Sequence, residues 1–419
     1  MKNNIRSWIP SEKDTDFPIQ NLPFGIFRKP GQKPVTVTRI GDTVIDLNAL
    51  AENHFLDGLG FDRSCFAQPR LNPFISYGKL YWQALRSRLT ELFTGENPLL
   101  RDDEPRKVEI LNPVGSGGML IPIEVKDYTD FNSDLYHAEN AGKLFRDPEH
   151  ALPKNWRYMP IAYHGRSSSI VISGTPIFRP KGQMRQNQVP IPVFGPTRQL
   201  DFECEVAFIT GRSTSIGESI LTDQAEDYIF GMILFNDLSA RDIQNWETVP
   251  LGPFLSKSFG SVISPWVITI DALEPFRVAG PLQEPEVFPY LSFSGDHHFD
   301  IDLEIFLSAN ENRETMISHT NYKYIYWNMA QQLAHQTVNG CNINVGDLYA
   351  SGTISGPAPD SWGSLLEITQ NGTKPLDMPD GTKKLYLEDY DTVTFRGYAK
   401  KDGLRIGFGE VSTLILPSK

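Results

Sequence analysis

Alternating acidic and apolar residues mark the segment 200–208 as a place where metal chemistry could occur. In a β-strand, successive side chains point to opposite faces, so Asp201, Glu203 and Glu205 are expected to share one face. If that face is enclosed, the three carboxylates repel one another and a cation relieves the repulsion. Ligands that are all oxygens favour Ca²⁺ or Mg²⁺ over zinc. The alternative, a half-exposed strand with a solvated acidic face, stays open at this point.

A further acidic residue follows an apolar segment. Residues 229–235 form an apolar run, which predicts a buried strand with Asp237 at its end. Arg241 and Gln244 come next, and at a spacing of three they would be neighbours on one face of a short helix. A carboxylate, a guanidinium and an amide would then converge in a small volume. An Asp after a strand is, however, more often a turn cap.

Three other segments contain single residues that could take part in catalysis. His137 has the side chain that titrates closest to neutrality, and it fits either a reactive group or a hydrogen-bonded loop residue. Lys257 lies among turn-forming residues. It could be a cation in a site, or a surface residue whose aliphatic stem packs against the protein. Glu367 interrupts an apolar run. It could be a charged residue on an edge strand, or a carboxylate that orients a histidine. The small residues of 346–356 would let a ligand approach the backbone, but the ending of a phosphate loop is missing.

Composition excludes several classes of partner. The 419 residues are 40% hydrophobic and 21% charged, and 39 basic against 51 acidic residues give a net charge of −12, which argues against nucleic acid. The longest apolar stretch, 228–235, is far shorter than the roughly 20 residues of a membrane span, so no membrane partner is expected. The first residues contain no apolar segment, so no secretory signal is expected. Cys65, Cys204 and Cys341 make neither a metal motif nor a disulfide framework, which predicts a cytoplasmic protein.

The sequence patterns around these residues predict the elements that position them, and together they indicate a mainly β protein with some helices, of the α+β class. Alternating residues in 34–40 and 43–47 flank a Gly-Asp turn and predict a hairpin. Apolar residues at helical spacing, Tyr81 among them, predict a helix over 81–93. A glycine-rich stretch at 111–118 suggests a domain boundary.

The boundary divides the chain into an N-terminal domain, 1–118, and a C-terminal domain, 119–419. In the second, short β-rich runs alternate with Gly and Pro turns. One helix is expected to begin near Asp223, with Glu226 as the partner of a capping box. Another is expected over 321–338, with Ile325 on its apolar stripe.

Several longer segments resemble the fumarylacetoacetase family, in the same order and almost from end to end. They are 16–23 (DFPIQNLP), 127–131 (DYTDF), 163–166 (YHGR), 239–244 (SARDIQ), 250–254 (PLGPF), 257–260 (KSFG), 350–356 (ASGTISG) and 407–409 (GFG). The resemblance implies an N-terminal SH3-like barrel followed by a large mixed β-sandwich roll. It also implies a homodimer that requires a divalent cation and hydrolyses a carbon–carbon bond of a small diketo acid, giving fumarate and acetoacetate in the last step of tyrosine degradation.

The resemblance also assigns roles to residues. His137 would be the base that deprotonates water, with Glu367 orienting its imidazole. Arg241, Gln244 and Lys257 would stabilise the developing oxyanion and hold the substrate. Further substrate contacts would be Arg146, Tyr163 and Thr353. The metal ligands would be Asp130, Glu203, Glu205 and Asp237, with Lys257 and Ser261 around a second cation, Mg²⁺. Asp201 has no role in the family.

Three positions depart from the family pattern of the animal enzymes. Asn132 and Thr248 stand where those enzymes have substrate-contacting tyrosines, and Leu238 replaces a tryptophan. The reaction type is unaffected, but the loss of two phenol rings could alter which acyl group fits. Two alternatives follow, namely a hydrolase of another acylpyruvate or diketo acid and a non-catalytic, Ca²⁺-stabilised binding module. The second has no need for His137 and Glu367.

Overall fold

The hairpin predicted near residue 40 is present in the computed structural model, which describes residues 5–185, 191–309 and 313–419. Strands β2 (Val35–Ile40) and β3 (Thr43–Asp46) pair antiparallel, with Ile40 opposite Thr43. Gly41 has a φ of +54° at the turn between them, a conformation that glycine adopts without steric cost. β-branched residues fill both strands, as a pleated and half-buried surface favours. The prediction from alternation is confirmed here.

The N-terminal part of the described chain contains a five-stranded sheet with short helices around it. The sheet order is β4-β3-β2-β1-β5. The strands are β1 (Gly25–Arg28), β2 (Val35–Ile40), β3 (Thr43–Asp46), β4 (Leu111–Pro113) and β5 (Gly118–Leu120). The helices are α1 (Leu47–Glu52), α2 (Asn72–Ile75), α3 (Lys79–Phe93), α4 (Pro98–Arg101) and α5 (Glu104–Ile110). The division of the chain between residues 118 and 119 stays a prediction.

Helix α3 corresponds to the helix predicted from apolar spacing. It begins after Gly78 and buries Trp82, Leu85 and Leu89 on one side. Tyr81, which the spacing also placed on the apolar stripe, is 37% exposed instead. The buried stripe therefore starts one residue later than expected. Among the described residues, we find no helix with the length and apolar character required to cross a membrane.

The remainder of the described chain is dominated by strands. They are β6 (Tyr128–Phe131), β7 (Ala162–His164), β8 (Ile170–Ile172), β9 (Ile177–Phe178), β10 (Lys181–Met184), β11 (Val193–Pro196), β12 (Leu200–Asp201), β13 (Cys204–Thr210), β14 (Ile229–Asp237), β15 (Ser239–Ala240), β16 (Ser261–Ile263), β17 (Ile268–Thr269), β18 (Arg277–Val278), β19 (His298–Phe299), β20 (Asp302–Ser308), β21 (Thr315–Asn321), β22 (Leu348–Ala350), β23 (Leu376–Asp377), β24 (Lys383–Lys384), β25 (Thr392–Lys401) and β26 (Leu404–Leu416). The helices are α6 (Leu135–Phe145), α7 (Arg241–Glu247), α8 (Ile270–Leu273), α9 (Met329–Thr337) and α10 (Leu365–Ile368).

Two large sheets of this part pack face to face. One has eight strands, in the order β7-β6-β22-β13-β14-β16-β8 with β17 also paired to β14, and the other has the order β21-β20-β25-β26-β9. Leu234 of the first sheet and Leu303 and Phe395 of the second belong to one buried apolar cluster. Parallel and antiparallel pairs both occur in the first sheet. The fold is therefore a mixed α+β structure with a sheet-on-sheet core, as predicted.

Strand register brings four chain segments to one edge of the eight-stranded sheet. β13 runs antiparallel to β14, so Cys204 at the start of one lies opposite Asn236 near the end of the other. β22 runs parallel to β6, with Ala350 beside Asp130. The end of β6, the start of β13, the end of β14 and the loop after β22 consequently meet. Side chains at these four points are placed close together by topology alone.

The segment 200–208 is not one continuous strand. β12 ends at Asp201 and pairs with β15, whereas β13 begins at Cys204 and pairs with β14. Glu203 lies between them and forms an isolated bridge with Ser364. Asp201 is therefore directed into a different set of contacts from Glu203 and Glu205, and the single acidic face predicted from alternation is wrong at its first residue.

Two predicted helices are wrong in whole or in part. Only a 3₁₀ turn, Ala225–Asp227, forms after Asp223, because the Glu226 carboxylate pairs with Arg277 rather than capping a helix. Helix α9 begins at Met329. Ile325 precedes that start and bridges to Asp134 in extended conformation. Its side chain packs in the hydrophobic core and does not lie on the apolar side of a helix.

Gly352 fixes the path of the loop that follows β22. Its φ is +77°, and a Cβ atom there would lie 2.0 Å from the carbonyl oxygen of Phe131. Its N–H donates to Oε2 of Glu205 at 2.9 Å. Only glycine lets this loop approach β6 so closely.

The variant Gly352→Ala is expected to lose about 2–4 kcal/mol of unfolding free energy, since positive φ and a backbone clash act together. Gly31 is the matched control, with a φ of +74° and no atom near the site of a Cβ. Gly31→Ala should lose only about 1 kcal/mol. Denaturant titration of both variants measures this, and equal losses would contradict the close approach.

Candidate active site

Four buried carboxylates meet where the strand ends converge. They belong to Asp130, Glu203, Glu205 and Asp237, and one oxygen from each lies within 4.8 Å of the others. All four residues are nearly inaccessible to solvent. Like charges this close raise one another's pKa unless a cation compensates them. Burying the four carboxylates without a counter-ion would cost folding free energy.

Two buried cations compensate part of this charge. The Lys257 ammonium lies 2.5 Å from Oε2 of Glu203 and 2.7 Å from Oδ2 of Asp237. The Arg241 guanidinium lies 2.8 Å from Oε1 of Glu203 through Nη1. Burial alone would lower the pKa of Lys257, but the carboxylates of Asp237 and Glu203 raise it above its ordinary value. Lys257 is therefore charged at neutral pH.

Glu203 differs from its neighbours because it contacts both cations. Burial alone would raise its pKa, but the charges of Lys257, Arg241 and His137 hold the pKa of the carboxyl below its ordinary value. Glu203 is thus ionised at neutral pH, and His137 lies close enough to contribute to its field.

Asp130 and Glu205 form no ion pair with a described residue, and the charge of Lys257 compensates them only in part. Oδ1 of Asp130 and Oε1 of Glu205 are buried, and neither has a hydrogen-bond partner among the described residues. Burial raises the pKa of both groups well above the ordinary value, and neighbouring carboxylates raise it further. Buried carboxylate oxygens that have no hydrogen-bond donor are the atoms to which a hard cation would bind. The donor set therefore fits a divalent metal ion.

Tyr163 and Ser261 complete the surroundings of the carboxylates. Tyr163 lies on β7 opposite Asp130, and its hydroxyl is 2.8 Å from Oδ2 of Asp130 and 3.1 Å from Oδ2 of Asp237. The Ser261 hydroxyl donates to Oδ1 of Asp237 at 3.0 Å. Burial raises the pKa of Tyr163 well above its ordinary value, so the phenol stays protonated and donates.

A histidine–carboxylate pair lies beside this cluster. Nδ1 of His137 is 2.7 Å from Oε2 of the fully buried Glu367. Burial would raise the pKa of Glu367, but the charge and hydrogen bonds of its neighbours, led by His137, lower it. An ionised carboxylate at Nδ1 keeps the proton on that nitrogen and leaves the lone pair on Nε2. The pair can therefore accept a proton at Nε2.

Sequence reasoning missed the residues that hold this pair in place. Glu367 also accepts from Nδ2 of Asn140 at 2.9 Å and from the hydroxyls of Ser355 at 2.9 Å and Ser364 at 2.8 Å. Asp134 caps α6 and accepts from the backbone N–H of His137 at 2.7 Å. Asn140 could have been found, since it lies three residues after His137 on the same helix.

Arg241 and Gln244 are neighbours at the start of α7, as their spacing predicts. Nη1 of Arg241 donates to Oε1 of Gln244 at 3.1 Å, which leaves the amide NH₂ of Gln244 for another acceptor. Glu247, at the end of the same helix, accepts from the backbone N–H of Phe254 at 2.7 Å and of Ser256 at 2.9 Å. The segment that carries Lys257 is thereby fixed to α7, a function that the sequence did not reveal.

Thr353 and Arg146 differ in their relation to the cluster. Thr353 follows Gly352 in the loop after β22, and its buried hydroxyl has no hydrogen-bond partner among the described residues. Arg146 is exposed at the end of α6, and its Nη1 donates to the carbonyl of Ala151 at 2.7 Å. The described contacts of Arg146 are thus with its own loop, and its substrate role stays a prediction.

Comparison with known proteins identifies relatives across the whole chain. Residues 20–122 match the family described as fumarylacetoacetase N-terminal, and residues 127–414 match fumarylacetoacetate (FAA) hydrolase C-terminal. A fumarylacetoacetase of Arabidopsis thaliana is 47% identical, covering 99% of this chain and 99% of the relative. One of Homo sapiens is 46% identical over 98% of this chain and 99% of the relative, and one of Dictyostelium discoideum is 45% identical over 99% and 98%.

Solved structures support the same fold. A fumarylacetoacetate hydrolase of Exiguobacterium antarcticum superposes with a TM-score of 0.53 at 15% identity, covering 94% of this chain and 99% of its own. The structure of Cg1458 with inhibitor gives a TM-score of 0.52 at 12% identity, covering 95% and 100%. At these identities the likeness concerns the architecture alone.

Replacing Glu203 by alanine is expected to lower the divalent metal content of the purified protein, because Glu203 offers a buried, ionised oxygen to the cluster. Glu304→Ala, on strand β20 of the other large sheet, is the control and should leave metal content unchanged. Elemental analysis after dialysis measures both. Unaltered stoichiometry in Glu203→Ala would contradict the proposed metal site.

Metal removal is expected to destabilise the protein more at about pH 8 than at about pH 5. Carboxyls with a raised pKa in the folded state, here Asp130 and Glu205, contribute stability while protonated and lose it as pH rises through that pKa. A bound divalent cation offsets this loss because it prefers the ionised groups. Thermal unfolding with metal and with chelator checks this, and a pH-independent difference in Tm would oppose it.

Proposed function

The chain belongs to the fumarylacetoacetate hydrolase family, and from this membership we propose that it hydrolyses a carbon–carbon bond of 4-fumarylacetoacetate to give fumarate and acetoacetate. Identities of 45–47% to fumarylacetoacetases over nearly the full chain support this activity, the last step of tyrosine and phenylalanine degradation. The observation that carries the proposal is the His137–Glu367 pair beside four buried carboxylates.

Hydrolysis first requires a nucleophilic water at neutral pH. Nε2 of His137 accepts the water proton as the hydroxide attacks the substrate carbonyl. Glu367 holds Nδ1–H and stabilises the imidazolium that results, since its carboxylate is ionised and 2.7 Å away. The same imidazolium can return its proton to the departing carbanion.

Attack on the carbonyl creates a negative oxygen, and three residues can stabilise it. Arg241 and Lys257 are buried cations whose own acceptors hold them in place. Gln244 has an amide NH₂ free to donate, because its carbonyl oxygen already accepts from Arg241. Donors that are fixed before the reaction stabilise the oxyanion at little reorganisation cost.

Asp130, Glu203, Glu205 and Asp237 would hold the divalent cation, and their all-oxygen set suits Ca²⁺ or Mg²⁺. A bound cation supplies Lewis-acid stabilisation of the negative charge that develops on the diketone oxygens. A protonated ammonium has no free electron pair and repels a cation, so Lys257 would contribute to a second cation site, Mg²⁺ by resemblance, only through its backbone carbonyl oxygen. The Ser261 hydroxyl would be the side-chain oxygen of that site.

Residues around the site would contact the substrate. Tyr163 and Thr353 have hydroxyls at the cluster or in the adjoining loop, and Arg146 offers a cation at the end of α6. Asn132 lies two residues after Asp130, and its backbone N–H donates to Ile161 at 2.8 Å. A side chain shorter than tyrosine at this position leaves more room beside the cluster.

A homodimer in the cytoplasm is also proposed. Val249 and Leu251, just after α7, are 85% and 95% exposed, as residues of an interface between copies would be in an isolated chain. Cys65, Cys204 and Cys341 are free thiols, which fits a reducing compartment.

The test is the loss of fumarylacetoacetate absorbance with purified protein, beside a simple acylpyruvate, each with and without chelator. We expect fast, chelator-sensitive loss of fumarylacetoacetate and slow loss of the acylpyruvate. Preference for the acylpyruvate would overturn the substrate assignment and direct attention to Asn132 and Thr248. No turnover of either compound would overturn the proposed hydrolysis.

His137→Ala is expected to lower kcat by about 10²–10⁴-fold, because no other group replaces its proton transfer. Fold and metal content should be retained, as measured by circular dichroism and elemental analysis. His150→Ala, at an exposed histidine, is the control and should keep full activity. Retained turnover in His137→Ala would exclude His137 as the base.

A further inference from the structure

Asp201 binds two structural elements with one carboxylate. It is fully buried at the end of β12. Oδ2 accepts from Nε of Arg241 at 2.9 Å and lies 2.8 Å from its Nη2. Oδ2 also accepts from the backbone N–H of Leu366 at 3.0 Å, and Oδ1 accepts from that of Leu365 at 2.8 Å. The guanidinium and the first turn of α10 are thus held by the same side chain.

Helix α10 needs acceptors for the N–H groups at its start. It spans only Leu365–Ile368, and a helix this short is not stable by itself. The N–H groups of its first turn have no acceptors within the helix, so they depend on capping. Asp201 caps two of them, and the Ser364 side chain accepts from the N–H of Glu367. Asp201 is thus one of the groups that place the Glu367 carboxylate against His137, beside the donors to Glu367 itself.

A carboxylate is required at this position. Both oxygens of Asp201 receive N–H donors, including the N–H of Phe202 at 2.8 Å. An asparagine would turn an NH₂ group toward at least one of these donors, since an amide has a single acceptor oxygen. With both oxygens engaged, Asp201 is also not available as a metal ligand, in accord with its absence from the four-carboxylate cluster.

We propose that Asp201 is a positioning residue that fixes Arg241 and, through α10, Glu367 relative to each other. The inference rests on the proposed function, in which Arg241 stabilises the oxyanion and Glu367 orients the base. The Asp201 carboxylate then sets the positions of both the oxyanion-stabilising guanidinium and the carboxylate that orients the base. Residues 201, 241 and 367 are far apart in sequence, and only the fold joins them.

The test is the variant Asp201→Asn in the metal-loaded enzyme. We expect kcat to fall about 10–100-fold, as for other loss of a supporting hydrogen-bond partner, with KM changed less than about threefold. Metal content should be unchanged. The proton NMR resonance of His137 Nδ1–H, deshielded by its short bond to Glu367, should shift or broaden although Asp201 does not touch His137.

Asp242→Asn is the matched control. Asp242 is the adjacent carboxylate on α7 and also binds local donors, the Thr197 hydroxyl and the N–H of Arg198, but it contacts neither Arg241 nor α10 in the hydrogen bonds described. It should retain kcat within about threefold and an unshifted His137 resonance. Equal losses in both variants, or an unshifted resonance in Asp201→Asn, would overturn the proposal.

A second variant covers the case in which Asp201→Asn does not fold. Asp201→Glu keeps the charge and both acceptor oxygens but displaces them by one methylene group from Arg241 and from the N–H groups of Leu365 and Leu366, and the His137 resonance should again shift through α10. An unshifted resonance would overturn the proposal. The resonance reports on Asp201 even if the wild-type enzyme leaves fumarylacetoacetate intact, an outcome that would refute only the proposed function.

Discussion

Four carboxylates buried against two cations impose the constraint on which the site depends. Ion pairs with Lys257 and Arg241 satisfy Glu203 and one oxygen of Asp237, but Asp130 and Glu205 keep buried oxygens that have no donor among the described residues. A divalent cation would supply the missing partner for these oxygens. The stability and the chemistry of the site are therefore linked through the same oxygen atoms.

The fold supports this arrangement by strand register and by a few short anchors. Four strand ends converge because β13 is antiparallel to both β14 and β22, and β22 is parallel to β6. Gly352 allows the loop after β22 to close over β6, and Glu247 fixes the segment that carries Lys257. These contacts hold the reactive groups in place, which limits the reorganisation that catalysis would require.

Much of the site could be predicted from local pattern. Glu203 and Glu205 were found by alternation, Arg241 and Gln244 by helical spacing, and the family resemblance connected them to His137 and Glu367. Asp201 was misplaced because alternation assumes one continuous strand, whereas its backbone pairs with a different neighbour from that of Glu205. The donors to the Glu367 carboxylate, Asn140, Ser355 and Ser364, come from three separate segments, and no local signal joins the three. The helix predicted near residue 223 does not form, and the helix predicted over 321–338 begins only at Met329, because long-range pairing with Arg277 and with Asp134 prevails over local propensity.

The central claim is that the cluster binds a divalent cation next to the His137–Glu367 pair. The most direct measurement is a crystal structure of the enzyme loaded with Mn²⁺. The anomalous signal of the metal locates the ion without any assumption about its ligands. The account predicts one strong peak among the oxygens of Asp130, Glu203, Glu205 and Asp237, with Lys257 displaced from direct contact or retained at the edge. A cluster that stays closed around Lys257 with no peak at saturating Mn²⁺ would contradict it, whether or not a peak appears elsewhere.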